Sequence, residues 1–329
     1  MSARNASRWV VVKFGGTSVS SLANWRNIAL VVHRRQQAGH NVLVVHSAIT
    51  KITDMLEKLL AAAQAGNPEE ALKAIEDRHK QLTTDLGVGV SPQLQGYFDE
   101  LRQMANGIAL VRELSDRTRA RVMANGELMA TEIGARFLKA QGVDVTWMDA
   151  RDMLKAEDRG ASAKASVLSA TCSFAPDAAL EARLEASTPV VITQGFIARD
   201  SEGNTCLLGR GGSDTSAAYL GAKIRARQIE IWTDVPGMFS ANPRAALRRS
   251  TGNRDQRRQG PAPALPAAGA PVPDTFICVG HADPRCGGDA DHRRGPGRRR
   301  ASEGGLQPQG HHVDLAGQSR HVAPGGLHG

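Results

Sequence analysis

With 329 residues, 41% of them apolar, the chain can bury the core of one large α/β domain or of two smaller ones. Four cysteines, Cys172, Cys206, Cys278 and Cys286, are too few and too scattered for a disulfide framework, and no apolar run reaches the roughly 18 residues needed to span a bilayer. The formal charge of +8 is unevenly placed: residues 1–244 hold 29 Lys and Arg against 26 Asp and Glu, residues 245–329 hold 12 Arg, no Lys and 7 acids. Most of the excess sits in the tail, so it is no reason to read the main part as a nucleic-acid binder. The polar start, Met1 to Arg8, has no apolar secretion core behind it, which makes a reducing, cytoplasmic compartment the expectation.

Residues 9–14 (WVVVKF) form a continuous β-branched run that stops at Gly15-Gly16, as a buried strand entering a tight loop does. Leu22, Trp25, Ile28 and Val32 fall at helical spacing within 21–38, and residues 41–45 (NVLVV) read as a second buried strand. Strand, glycine loop, helix, strand is the opening of a parallel α/β sheet. Amphipathic helices are predicted over 54–64, 69–85 and 96–114, and a further helix over 126–141, opened by Gly126. Strands follow at 143–148 and 189–194, a helix through 217–222, and a strand at 228–233 ended by Asp234 and Pro236-Gly237. The expected fold is a three-layer α/β/α sandwich with a mainly parallel sheet, incomplete at its C-terminal end.

After Arg244 the character changes. The last 85 residues contain 15 of the 34 Gly, 9 of the 15 Pro and 6 of the 10 His, and only 274–280 has the composition of a short strand. Such a segment buries too little apolar area to offset its ordering entropy and is expected to be disordered or loosely packed.

Four places carry chemistry. Lys13-Phe-Gly-Gly-Thr-Ser18 ends a strand in two glycines whose amides can close around phosphate oxygens, with Lys13 in reach of the same oxygens. It is not a Walker A loop, since the Lys precedes the glycines, and a glycine pair after a strand is by itself most often just a turn. Leu208-Gly-Arg-Gly-Gly-Ser-Asp214 is a second glycine-rich turn leading into a helix. It presents Arg210, suited to a carboxylate or phosphate, and Asp214, which equally suits an N-cap. Glu127 opens the predicted helix at 126–141, where the helix dipole alone favours an acid. Residues 232–237 (WTDVPG) put polar tips at a strand end, where open α/β sheets bind ligands, or where a strand simply turns.

Taken together, KFGGTSV at 13–19, GELMAT at 126–131, ITQGFI at 192–197, GRGGSD at 209–214 and WTDVPG at 232–237 closely resemble the aspartokinases of the amino-acid kinase family, in order and at about the family's spacings. The resemblance implies phosphoryl transfer from ATP, with Mg²⁺, to the β-carboxylate of L-aspartate, the first step toward lysine, threonine and methionine. It also implies a homo-oligomer. Lys13 then neutralises the transferring phosphoryl group and Asp214 is a catalytic aspartate. Gly15, Gly16, Thr17 and Ser18 line the phosphates. Ser47, Thr53, Glu127, Arg210, Gly211, Gly212 and Ser213 match the aspartate side, Glu127 taking the α-ammonium. Thr233, Asp234, Phe239 and Arg244 match the nucleotide side. No residue is assigned to a metal.

Three departures stand out. Lys51 occupies a position where the family pattern has Gly, a cost of about 1 kcal/mol if the backbone there needs φ > 0. Phe239 replaces a frequent Tyr. After Asn242-Pro243-Arg244 the family's KVLHP segment and regulatory ACT domains are missing. Residues 259–265 (QGPAPAL) can be encoded by codons that, read one nucleotide over, spell Lys-Val-Leu-His-Pro-Arg-Cys, hence the expectation of a frameshift near residue 245. The competing reading is a catalytically inert, kinase-like ligand-binding protein. Arg293-Arg294 and Arg298–Arg300 lack the aromatic interleaving of a nucleic-acid surface. Cys278, His281, Cys286 and His292 match no standard zinc spacing. Neither a nucleic-acid nor a membrane partner is expected.

Overall fold

In the computed structural model, residues 7–157, 160–233, 276–280, 311–314 and 318–319 are described. Five strands, β1 (Trp9–Phe14), β2 (Asn41–His46), β3 (Val145–Trp147), β4 (Val190–Gln194) and β7 (Gln228–Thr233), form a parallel sheet in the order β7-β1-β2-β4-β3. Their near-continuous apolar sequences follow from burial on both faces. Two strands lie apart from them, β5 (Ile197–Arg199) and β6 (Thr205–Leu207), paired as an antiparallel hairpin. Beyond β7 the sheet continues with β8 (Phe276–Gly280), parallel to β7, then β9 (His311–Asp314) and β10 (Gln318–Ser319), both antiparallel.

Alternation within the strands sorts the core into two layers. Val10, Val12, Phe14, Val42, Val44, Val190 and Ile192 face one side. There they pack on α1 (Leu22–Gln37), α2 (Ile52–Ala65), α3 (Glu69–Asp85), α4 (Pro92–Val111) and α5 (Asp116–Ala140), with Trp25, Leu56, Phe98 and Phe137 fully buried between them. Trp9, Val11, Leu43, Val45, Val191, Ile229 and Ile231 face the other side. After the short helix α6 (Ala163–Leu168), α7 (Ala178–Glu185) and α8 (Gly212–Lys223) cover that face through Leu180, Leu184, Ala217 and Leu220. This is the expected three-layer α/β/α sandwich with a mainly parallel sheet.

Several boundaries differ from the sequence reading. The break between the fourth and fifth long helices lies at Arg112, which ends α4 in the left-handed region (φ 60°), and Ser115 caps α5 by accepting from the Thr118 amide. Helix α5 therefore begins ten residues before Gly126, and Glu127 sits mid-helix rather than in a first turn. Gly126 is instead a packing contact: a Cβ there would stand 3.1 Å from the Ala48 Cβ. In the tail, the strand candidate coincides with β8, while β9 and β10 were not foreseen. The rest of the tail, the frameshift point, Asp234, Phe239 and Arg244 lie outside the described residues.

Candidate active site

The alternation that sorts the core also aims the site. Lys13 follows Trp9 and Val11 on the α8 face of β1, and Ser47 follows Leu43 and Val45 on the α8 face of β2. Helix α8 starts at the second glycine turn, capped by Gly211 in the left-handed region (φ 73°). Its first residues therefore meet both strand ends. Lys13 Nζ lies 2.6 Å from Asp214 Oδ1, and the Ser47 hydroxyl donates to Ser213 Oγ at 2.9 Å. The Lys13 side chain is 9% exposed and that of Asp214 37%, so the cation is sheltered while the carboxylate is partly exposed. Sheltering strengthens whatever the ammonium meets, because less water screens it.

Glycines let each turn pack closely on a neighbouring loop. A Cβ on Gly195, at the end of β4, would stand 2.5 Å from the Ser213 Cβ, and one on Gly212 would stand 2.7 Å from the Phe196 ring. In the first turn a Cβ on Gly16 would meet the Ala48 carbonyl oxygen at 2.8 Å, and one on Gly15 would face only Lys13 Nζ at 3.9 Å. The Ser18 and Val19 amides donate back to the Gly15 and Gly16 carbonyls in a short 3₁₀ turn, with Ser18 buried and Thr17 exposed.

The 47–51 loop is the shared wall. On one side Ser47 reaches Ser213. On the other, the Ala48 amide donates to Glu127 Oε1 at 3.3 Å, the carboxylate being 3% exposed. Burial pushes the Glu127 carboxyl up to about 8, the Ala48 amide only partly offsetting the loss of water. Lys51 takes φ 70° just before α2, in the left-handed region that favours glycine. Burial likewise pulls His46 down to about 4; it faces Trp25 edge-on and donates through Nδ1 to the Ser47 carbonyl. That donor fixes the neutral tautomer.

Of the residues singled out in the sequence, Lys13, Gly15, Gly16, Ser47, Glu127, Gly212, Ser213 and Asp214 gather at the ends of β1 and β2. Thr53 is exposed in the first turn of α2, and Arg210 and Gly211 are exposed in the second glycine turn. Phe14 pairs with Trp232, which brings the end of β7 at Thr233 level with the first turn. Sequence reasoning passed over Gln194 and Thr131, although they stand in the quoted segments ITQGFI and GELMAT. Period-two alternation from Val190 and Ile192 puts Gln194 on the α5 face, a polar residue where an apolar one is expected.

Two glycine turns beside a Lys–Asp pair at the end of a parallel sheet define an α/β protein with a candidate ligand site there. The chain belongs to the amino acid kinase family, whose model matches residues 8–250. It is similar to the lysine-sensitive aspartokinase 3 of Escherichia coli strain K12, 32% identical over 300 residues covering 86% of this chain and 64% of that protein. It is also similar to the chloroplastic bifunctional aspartokinase/homoserine dehydrogenase 1 of Arabidopsis thaliana, 32% identical over 249 residues covering 72% of this chain and 26% of that one. Among solved structures, E. coli aspartokinase III in complex with aspartate and ADP superposes with a TM-score of 0.62 at 28% identity, covering 84% of this chain and 63% of that one. The chain spans less than two thirds of the length of these relatives. Among the described residues no group of three or more His, Cys, Asp or Glu is placed to hold a metal ion, and no helix is long and apolar enough to cross a membrane.

Proposed function

We propose that this chain transfers the γ-phosphoryl group of ATP to the β-carboxylate of L-aspartate, giving 4-phospho-L-aspartate. The observation that carries the reading is the meeting of the second glycine turn with the ends of β1 and β2, Lys13 Nζ with Asp214 Oδ1 at 2.6 Å and Ser47 with Ser213 at 2.9 Å. The similarity to aspartokinases, one of them solved with aspartate and ADP, supports the same pairing of ligands.

The acceptor carboxylate is already ionised at neutral pH and needs no general base, so the residues act by positioning and by neutralising charge. Asp214 holds the Lys13 ammonium at the strand end, aimed at the oxygens of the transferring group. Gly15, Gly16, Thr17 and Ser18 form the phosphate turn, and Thr233, Asp234, Phe239 and Arg244 complete the nucleotide side. On the acceptor side Arg210 forks onto a carboxylate, the second turn supplies Gly211, Gly212 and Ser213, and Ser47 and Thr53 close the wall. Glu127 takes the α-ammonium; an incoming cation lowers its raised pKa and so favours the charged form. Mg²⁺ suits this site because it binds through substrate phosphates and water and asks for no cage of protein ligands; bound with ATP it neutralises the phosphate charge.

On this reading residues 1–244 are the catalytic domain of a cytoplasmic homo-oligomer. The test is ATP-dependent hydroxamate formation by the full chain with L-aspartate, L-glutamate or N-acetylglutamate as acceptor. Aspartate is expected to be the substrate used, and Arg210→Ala to raise its KM with little change in the KM for ATP. Tight binding of aspartate without turnover would instead identify an inert binding protein.

A further inference from the structure

A buried polar network joins α5 to the end of β4. Thr131 lies one turn after Glu127 on α5, is fully buried, and donates through Oγ1 to the Glu127 carbonyl at 2.9 Å. The same oxygen accepts from Trp147 Nε1 at 3.0 Å and from Gln194 Nε2 at 2.7 Å. One donation and two acceptances saturate a hydroxyl. Gln194, also fully buried, accepts at Oε1 from the Ala150 amide at 2.7 Å. Its amide is thus held at both ends, on one side by a residue of α5.

Gln194 immediately precedes the residues on which the second glycine turn rests. The Gly195 amide donates to the His46 carbonyl at 2.9 Å, and Gly195 presses on Ser213. Phe196 takes a left-handed conformation (φ 70°), in which its amide donates to Ser216 Oγ at 2.9 Å and its carbonyl accepts from the Leu208 amide at 2.8 Å. Such a conformation in an aromatic residue persists only where its surroundings over-determine it. An apolar residue at 194 would continue the pattern of Val190 and Ile192 and fill the space equally well, so packing alone does not account for an amide there.

We infer that Gln194 is a positioning residue: through Thr131 it ties the helix carrying Glu127 to the strand end that supports the Arg210–Asp214 turn, and so sets the spacing between the two ends of the acceptor. This rests on the reading of Glu127 and that turn as the acceptor site. The network cannot tolerate a partner that fails to donate, since buried groups left unpaired weaken the whole arrangement.

The experiment compares the full wild-type chain with Gln194→Glu and Gln194→Leu. A carboxylate at 194 accepts from Ala150 but cannot donate to Thr131; burial raises its pKa, and once protonated it does both. For Gln194→Glu the KM for L-aspartate, relative to wild type, is expected to rise about tenfold near pH 8 and to return toward the wild-type value near pH 6, with the KM for ATP unchanged within about twofold. Glu127 and Glu132 on α5, His46 on β2, and Asp149 with its ion-paired Arg151 beside Ala150 are the nearby ionisable groups; all remain in both proteins, and the same ratio for Gln194→Leu, which adds no charge at 194, shows any pH dependence they contribute themselves. In Gln194→Leu, amide hydrogen exchange is expected to quicken in 127–131 and 209–216 together. A ratio independent of pH, an equal loss for both substrates, or faster exchange in only one of the two segments overturns the inference. A wild-type chain that turns over ATP with no aspartate removes the acceptor reading, while the exchange data still decide whether the segments are coupled.

Discussion

In the first glycine turn Gly16 sits in ordinary helical backbone at φ −60°, and what excludes a side chain is the Ala48 carbonyl, 2.8 Å from where a Cβ would stand. In the second, Gly209 and Gly211 both lie at φ 73°, and Gly211 has exposed space around it. Neighbouring backbone thus demands glycine at Gly16, and the backbone's own torsion demands it at Gly211. The consequences for function differ accordingly. Ala48 is pressed by Gly16 through its oxygen and bound by Glu127 through its amide, so the first turn is coupled to the acceptor wall. Gly211 shapes the start of α8, which carries Ser213 and Asp214.

The largest effect expected from this difference is on the acid side of the pH profile. With the Glu127 carboxyl raised to about 8, the KM for aspartate should rise by roughly tenfold for each unit of acidification below that value, and Glu127→Gln should abolish the slope. The same shift acts on stability. Between the ordinary carboxylate value and about 8 the folded chain holds the extra proton, so Glu127 stabilises at low pH and this contribution is lost as the pH rises through about 8. Melting curves across pH should show Glu127→Gln gaining on wild type as the pH increases; a parallel pair of curves would count against a neutral buried acid.

Next is Gly16→Ala. The methyl meets backbone, which cannot swing aside as a side chain can, so a loss of about 1–3 kcal/mol in urea unfolding is expected, with kcat/KM down at least about tenfold through displacement of Ala48. Gly211→Ala should cost about 1 kcal/mol from its positive φ, with a smaller loss of kcat/KM than Gly16→Ala, read as a higher KM for aspartate. If the two substitutions damage activity equally, the distinction between the turns fails. The smallest effect is a gain: Lys51→Gly relieves a lysine held at φ 70° and should stabilise by about 0.5–1 kcal/mol, read in the same unfolding experiment.

Much of the fold was legible because buried parallel strands are written as unbroken apolar runs. From the same runs, period-two alternation aims Lys13 and Ser47 at one face and Gln194 at the other. What was not legible has identifiable causes. The end of α4 is a left-handed Arg112 rather than a glycine, so the helix was carried past it to residue 114. Gly126, which marks helix starts elsewhere, is here a mid-helix contact with Ala48, and Glu127 was accordingly placed in a first turn. The β5–β6 hairpin has strands of three residues each, too short to show a period. Its marker is Asp200, which accepts from the Glu202 and Asn204 amides. Within the site, the glycines and charges were visible in order. Their reasons were not, because a close approach between residues 16 and 48, or 195 and 213, exists only once the sheet has formed.

The central claim is that Lys13, brought by the first turn against Asp214 of the second, neutralises the group being transferred. Single-turnover phosphoryl transfer from ATP to L-aspartate, measured for the full chain and for Lys13→Ala, tests it most directly. A fall of about 100-fold or more in the rate at saturating aspartate is expected, by analogy with removal of a single charge-stabilising donor. A Lys13→Ala chain that transfers at the wild-type rate would contradict it.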